Sequence, residues 1–159
     1  MVEQQIEMQL SEQIIKAMVE LKEKGDLIAN KGKYQDAITL YRQAYELLPI
    51  PRDEWEATTW ILGIIGDAYF LDRRYSEAFE TLNEALRAPG ALGNPFIHLR
   101  LGQCALEIHD YERAKDELMR AYMLVGQDIF LQDNPKYLEF LAQYAVVDTS
   151  KLKRRHRPR

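Results

Sequence analysis

The side chains that could carry chemistry are few. The 159 residues include one cysteine, Cys104, three histidines, His98, His109 and His156, and three serines, Ser11, Ser76 and Ser150. A lone cysteine makes no internal disulfide and no multi-cysteine zinc site. A metal centre needs clustered ligands, and these histidines are dispersed along the chain. No G-x-S-x-G, Walker-type loop or G-x-G-x-x-G occurs. Cys104 therefore reads as a small buried hydrophobe and Ser76 as a helix cap. The 25 acidic residues scatter along solvated helix faces and single out no acid/base pair. The expectation is a protein with no catalytic, cofactor-binding or metal-binding residues, and not an enzyme.

Charge is unevenly distributed. Twenty-one basic against 25 acidic residues give a formal net charge of −4. Residues 151–159 hold six Lys or Arg and no acid, leaving 15 basic and 25 acidic residues ahead of them, a net of −10. An acidic body argues against nucleic acid as the main partner. The basic stretch 148–159 reads as a solvated tail. If ordered, it has the body's own acidic faces as its nearest site, so self-association through it or through the N-terminal helix is a second possibility. The first residues carry neither a basic nor an apolar leader segment, and the longest apolar run, Ile61–Gly66, is too short to span a bilayer. A cytoplasmic protein with no membrane partner is expected.

The elements that position these residues follow from an internal repeat, the feature that governs such folds. From Gly25, Gly66 and Gly102 alike, a Tyr follows at +9, an Ala at +12, a large apolar residue at +16 and a second Ala at +19. These are Tyr34, Ala37, Tyr41 and Ala44; Tyr75, Ala78, Leu82 and Ala85; and Tyr111, Ala114, Leu118 and Ala121. Small residues let two helices approach, the +16 side chain fills the space between them, and the Tyr packs under the turn joining them. Apolar residues recur at helical spacing within each unit.

Between the first and second units lie seven extra residues, Ile50–Glu56, where Asp53 and Glu56 have capping-box spacing and start the next helix near Glu54. Asn94-Pro95 and Asn134-Pro135 pair a cap with a first-turn proline. The second pair opens a capping helix over 135–146 with Tyr137, Leu138, Leu141 and Tyr144 on one face. At the other end, Ile6, Leu10, Ile14 and Met18 extend helical spacing, so residues 3–31 form one helix or a helix broken near Ser11. A stack of repeats needs such polar ends.

On these residues the chain resembles the tetratricopeptide repeat family, whose pattern runs W-x2-L-G-x2-Y, then A-x3-F, A and P over 34 residues. The units fall at about 18–51, 59–92 and 95–128. Leu21, Leu62 and His98 stand at the Trp position, Lys24 replaces a Leu and Ala105 the Tyr of the third unit. The stretch Gly93–Gly102 is similar to stand-alone bacterial members. The resemblance implies an all-α, right-handed superhelix (an α-solenoid) of three helix pairs plus a C-terminal capping helix, in a single domain over 1–147. It also implies that His98 points into the stack.

The resemblance further implies a non-catalytic protein-protein interaction module. A peptide, helix or protein partner lies in a concave groove lined by the first helix of each pair. Carried over, the lining is Val19, Lys22, Asp26, Ala29 and Asn30 in the first unit. The second supplies Trp60, Gly63, Asp67, Phe70 and Leu71, and the third Phe96, Leu99, Gln103, Leu106 and Glu107. The family's clamp for chaperone C-terminal carboxylates maps onto Lys22, Asp26, Ile64, Phe96 and Arg100; two of the five match, and Asp26 repels a carboxylate. Alternative roles are a bacterial toxin-immunity protein or secretion chaperone neutralising a cognate effector, or a nucleic-acid binder acting through the tail. The groove is either open to a partner or covered by a segment of the chain itself.

Overall fold

The computed structural model describes residues 9–155; the expectations for Ile6, His156 and residues 157–159 lie outside the described residues. The described residues form eight α-helices and no strand. The helices are α1 (Glu12–Ala29), α2 (Tyr34–Glu46), α3 (Glu56–Leu71), α4 (Tyr75–Ala85), α5 (Pro95–Glu107), α6 (Tyr111–Val125), α7 (Lys136–Ala142) and α8 (Ser150–Arg155). Two 3-10 turns, Arg52–Glu54 and Gln127–Phe130, lie between them. The helices pack in sequence as pairs, α1 on α2, α3 on α4 and α5 on α6, and each pair stacks on the next. The result is an α-solenoid of helix pairs.

The repeat positions explain the packing. Ala37, Ala44, Ala78, Ala85, Ala114 and Ala121 are all fully buried. Tyr41, Leu82 and Leu118 fill the seam opposite Gly25, Gly66 and Gly102; a Cβ added to Gly66 would stand 2.5 Å from Leu82 Cδ2. The pairs turn at one recurring offset, seven residues after each glycine. There Gly32, Arg73 and His109 all take positive φ, at 75°, 60° and 65°. The +9 tyrosines are looser than expected. Tyr34 and Tyr75 are half-buried, and Tyr111 is exposed because it belongs to the last pair, where it meets Phe140 of α7 at 6.2 Å between ring centroids.

Helix starts follow their caps. Ser11 accepts from the Ile14 N–H at 3.3 Å, so α1 begins at Glu12. Asn94 accepts from Phe96 and Ile97 at 3.0 and 3.2 Å, with Pro95 opening the helix. Two expected caps are not used. Asp53 caps nothing: residues 52–54 turn as a 3-10 helix, the Thr58 hydroxyl bonds the Arg52 carbonyl, and α3 starts at Glu56 instead of near Glu54. Ser76 lies inside α4, whose first turn is held by Arg74 and Glu77 at 2.9 Å.

The C-terminal end also departs from expectation. Asn134 accepts from the Lys136 N–H at 2.9 Å, but α7 ends at Ala142, four residues short of 146. Its buried face is Tyr137, Leu138, Phe140 and Leu141, and Tyr144 turns outward, so nothing draws the helix further. Residues 150–155 are helical where a solvated tail was expected. Leu152 is buried, Gln127 accepts from the Lys151 N–H at 3.2 Å, and Lys151 pairs with Asp128 at 2.5 Å. The tail's first charge thus lies on the acidic body.

Candidate binding groove

The inner face is built from α1, α3 and α5, and the structure divides it in two. The half between α1 and α3 is a concavity of about 630 Å³ lined by Lys22, Asp26, Ala29, Asn30, Tyr34, Tyr41, Trp60, Ile64, Asp67, Ala68 and Leu71. Trp60 is 41% exposed and Leu71 45%, both large apolar side chains open to solvent. Val19 is exposed on the same helix as Lys22 and Asp26. On α3, Trp60, Ile64, Asp67 and Leu71 recur at helical spacing, which sets them on one face.

Electrostatics in this half are largely internal. Asp26 pairs with Lys22 at 2.7 Å and accepts from the Tyr41 hydroxyl at 2.7 Å. Burial, that hydrogen bond and the charges of Asp26 and Asp67 all push the Tyr41 phenol above its ordinary pKa. Tyr41 therefore stays a neutral donor and holds Asp26 in place.

The half over α5 is closed by the chain itself. Leu99 and Gln103 are buried, Phe70 and Gly63 likewise, and Leu106 is half-buried; Phe96 stays at the margin of exposure. Arg100 is the centre of the closure. Its Nε donates to Asp67 at 2.7 Å, and its Nη1 donates to Gln103 at 2.7 Å and to Asp133 at 2.9 Å. Gln103 donates in turn to Asp133 at 2.9 Å. The guanidinium lies 4.3 Å from the Phe70 ring centre and 5.1 Å from that of Phe96, a cation–π arrangement. Tyr137 of α7 packs at 6.3 Å from Phe70 and donates to Glu107 at 2.7 Å. Burial works against the Glu107 charge, but Lys136 and Tyr137 hold its carboxyl below the usual range.

Of the lining residues carried over from the sequence, the structure brings Lys22, Asp26, Ala29, Asn30, Trp60, Asp67 and Leu71 around one open concavity. It places Gly63, Phe70, Leu99 and Gln103 inside the body. Tyr34 and Tyr41 also line the opening and were read as packing residues only. Tyr137 was legible as part of the capping helix's apolar face, but its bond to Glu107 and the role of Asp133 left no signal, because each meets its partners about thirty positions away.

The groups singled out for chemistry sit apart from this opening. Cys104 is fully buried, and burial pushes its thiol up to about 12. His98 is buried between Glu117 at 2.6 Å and the Leu92 carbonyl at 2.7 Å. Arg113 donates to the other Glu117 oxygen at 2.7 Å and to Asn83 at 2.6 Å, so this cluster joins α4, α5 and α6. Among the described residues no group of three or more His, Cys, Asp and Glu could hold a metal ion, and no helix is long and apolar enough to cross a membrane.

A family model for the tetratricopeptide repeat matches residues 16–89. That match spans the first two helix pairs, and the fold of all three pairs is that of solved tetratricopeptide repeat domains. No curated protein matches the chain. Among solved structures, the first such domain of human RPAP3 is 21% identical with a TM-score of 0.60, covering 80% of this chain and 88% of that one. The first domain of Spaghetti (RPAP3), bound to the HSP90 peptide SRMEEVD, is 20% identical with a TM-score of 0.62, covering 80% and 90%. The Yersinia enterocolitica type III secretion chaperone SycD, in complex with a peptide of the translocator YopD, is 16% identical with a TM-score of 0.64, covering 91% and 97%. At these identities the likeness is one of fold.

Proposed function

We propose that this protein is an interaction module that holds a peptide or helix of a protein partner in the open half of its groove, between α1 and α3. The observation that carries the reading is the exposed Trp60–Leu71 face above a concavity of about 630 Å³ on a family fold. Exposed apolar surface of this kind marks interaction sites, and peptides are bound by structures of the same fold. The groups that could do nucleophilic or metal chemistry are buried or engaged elsewhere, which supports a non-catalytic role.

A photo-crosslinking amino acid at position 60 or 71, with one at exposed Tyr111 as control, tests this in the native host. The expected result is one partner captured from both groove positions and not from 111. Equal capture at all three, or none in the groove, refutes it. A secretion-chaperone role is the second reading, favoured by the full-length match to SycD, which covers 97% of that chain.

A further inference from the structure

Resting on the groove reading above, we infer that the partner segment carries a Lys or Arg flanked by large apolar side chains, with the cation seated on Asp67. The inference comes from which charges in the groove are already engaged. Lys22 is paired with Asp26, whose other oxygen accepts from Tyr41. Arg100 donates to Asp67, Gln103 and Asp133 and is sandwiched by Phe70 and Phe96. Among the described residues that line the opening, the one Lys or Arg is Lys22, and it is already paired.

Asp67 is different. Only its Oδ1 takes a donor among the described residues, from Arg100, while its side chain remains 31% exposed. Lys22 and Asp26 balance each other, whereas Arg100 is shared between Asp67 and Asp133, so that second set carries one uncompensated negative charge. Asp67, the more exposed of the two carboxylates, lines the opening on the same α3 face as Trp60 and Leu71. A guanidinium or ammonium can take the free Oδ2 as a charge-assisted hydrogen bond. Neighbouring apolar side chains then cover Trp60 and Leu71. An acidic segment meets repulsion instead, and charge of this kind sets partner choice.

The test uses three capped peptides: one with a single arginine between leucines, a twin with norleucine in its place and a twin with glutamate. Calorimetry on the full chain should show the arginine peptide binding about tenfold tighter than the norleucine twin, the scale of one hydrogen bond to a charged group. That advantage should shrink with added salt. Asp67→Asn keeps the Oδ1 acceptor for Arg100 and removes the charge, so it should bring the arginine peptide to the norleucine level. No arginine preference, a preference for the glutamate peptide, or a preference unchanged in Asp67→Asn overturns the inference. Trp60→Ala separates the two readings. If it weakens all three peptides while Asp67→Asn changes nothing, the groove stands and the cationic partner falls. If it weakens none, the groove reading itself fails.

Discussion

Gly102 of α5 lies so close to Leu118 of α6 that an added Cβ would stand 2.6 Å from Leu118 Cγ and 2.8 Å from the Leu118 backbone nitrogen. At the corresponding Gly25 and Gly66 the nearest atoms are side-chain atoms, of Tyr41 and Leu82. A side chain can rotate aside, whereas a backbone nitrogen moves only with its helix. Gly102→Ala is therefore expected to destabilise by about 2 kcal/mol, overpacking outweighing alanine's better helix propensity. Gly63→Ala, which meets just the tip of Ile97 at 3.1 Å, should be near neutral. Urea unfolding midpoints of the two variants check the order.

Arg73 holds a left-handed backbone at φ 60°, at the turn position where the first unit has Gly32. A side chain there costs roughly 1 kcal/mol relative to glycine. Arg73→Gly is expected to raise stability by about 0.5 kcal/mol, the gain being offset in part by the greater entropy of the unfolded chain. A rise in thermal midpoint is the readout; a fall would show that the exposed Arg73 side chain contributes more than its backbone loses.

Arg100 ties α5 to Asp67 on α3 and to Asp133 before α7. Arg100→Met leaves carboxylates without their partner in a largely buried setting and should cost about 3 kcal/mol. It should also loosen the closing segment. Amide exchange in 136–142 is expected to accelerate more than exchange in α1 and α2, which share no contact with the network beyond Asp67's influence on Tyr41. Uniform acceleration would mean that the segment unfolds only with the whole protein.

Cys104 is buried, and its thiol is pushed up to about 12, chiefly by burial. A raised thiol pKa keeps the group protonated and unreactive through neutral and mildly alkaline pH. At pH ~8 the native protein should resist alkylation, while an unfolded control, with a thiol pKa near 8.5, reacts readily. Rapid labelling of the native protein, measured by intact mass, would show that α5 opens locally.

Much of the architecture was legible in the chain. The matched offsets from Gly25, Gly66 and Gly102 are local constraints, because two helices joined by a short turn can touch only at fixed separations. The Asn94 and Asn134 caps were readable for the same reason, each acting within three residues, whereas Ser11 was read only as a point where the helix could break. Asp53 misled because capping-box spacing says nothing about whether the intervening residues are helical, and here residues 52–54 form a separate 3-10 turn. The helix at 150–155 was missed because a single apolar residue, Leu152, makes no periodicity, and the helix is held by Gln127 and Asp128, 24 and 23 positions back from Lys151.

The groove shows the same division. The repeat register was legible in the sequence, and the family resemblance carried an inner face on α1, α3 and α5, with candidate lining side chains, onto that register. Which part of that face stays open was decided by tertiary structure. Arg100 could have been a free cation in a groove; it is instead bound by Asp67 and Asp133, one from the preceding pair and one from the segment before α7. Long-range electrostatic closure has no period and leaves no local mark, so the open Trp60–Leu71 half emerges only once the C-terminal segment has folded back over α5.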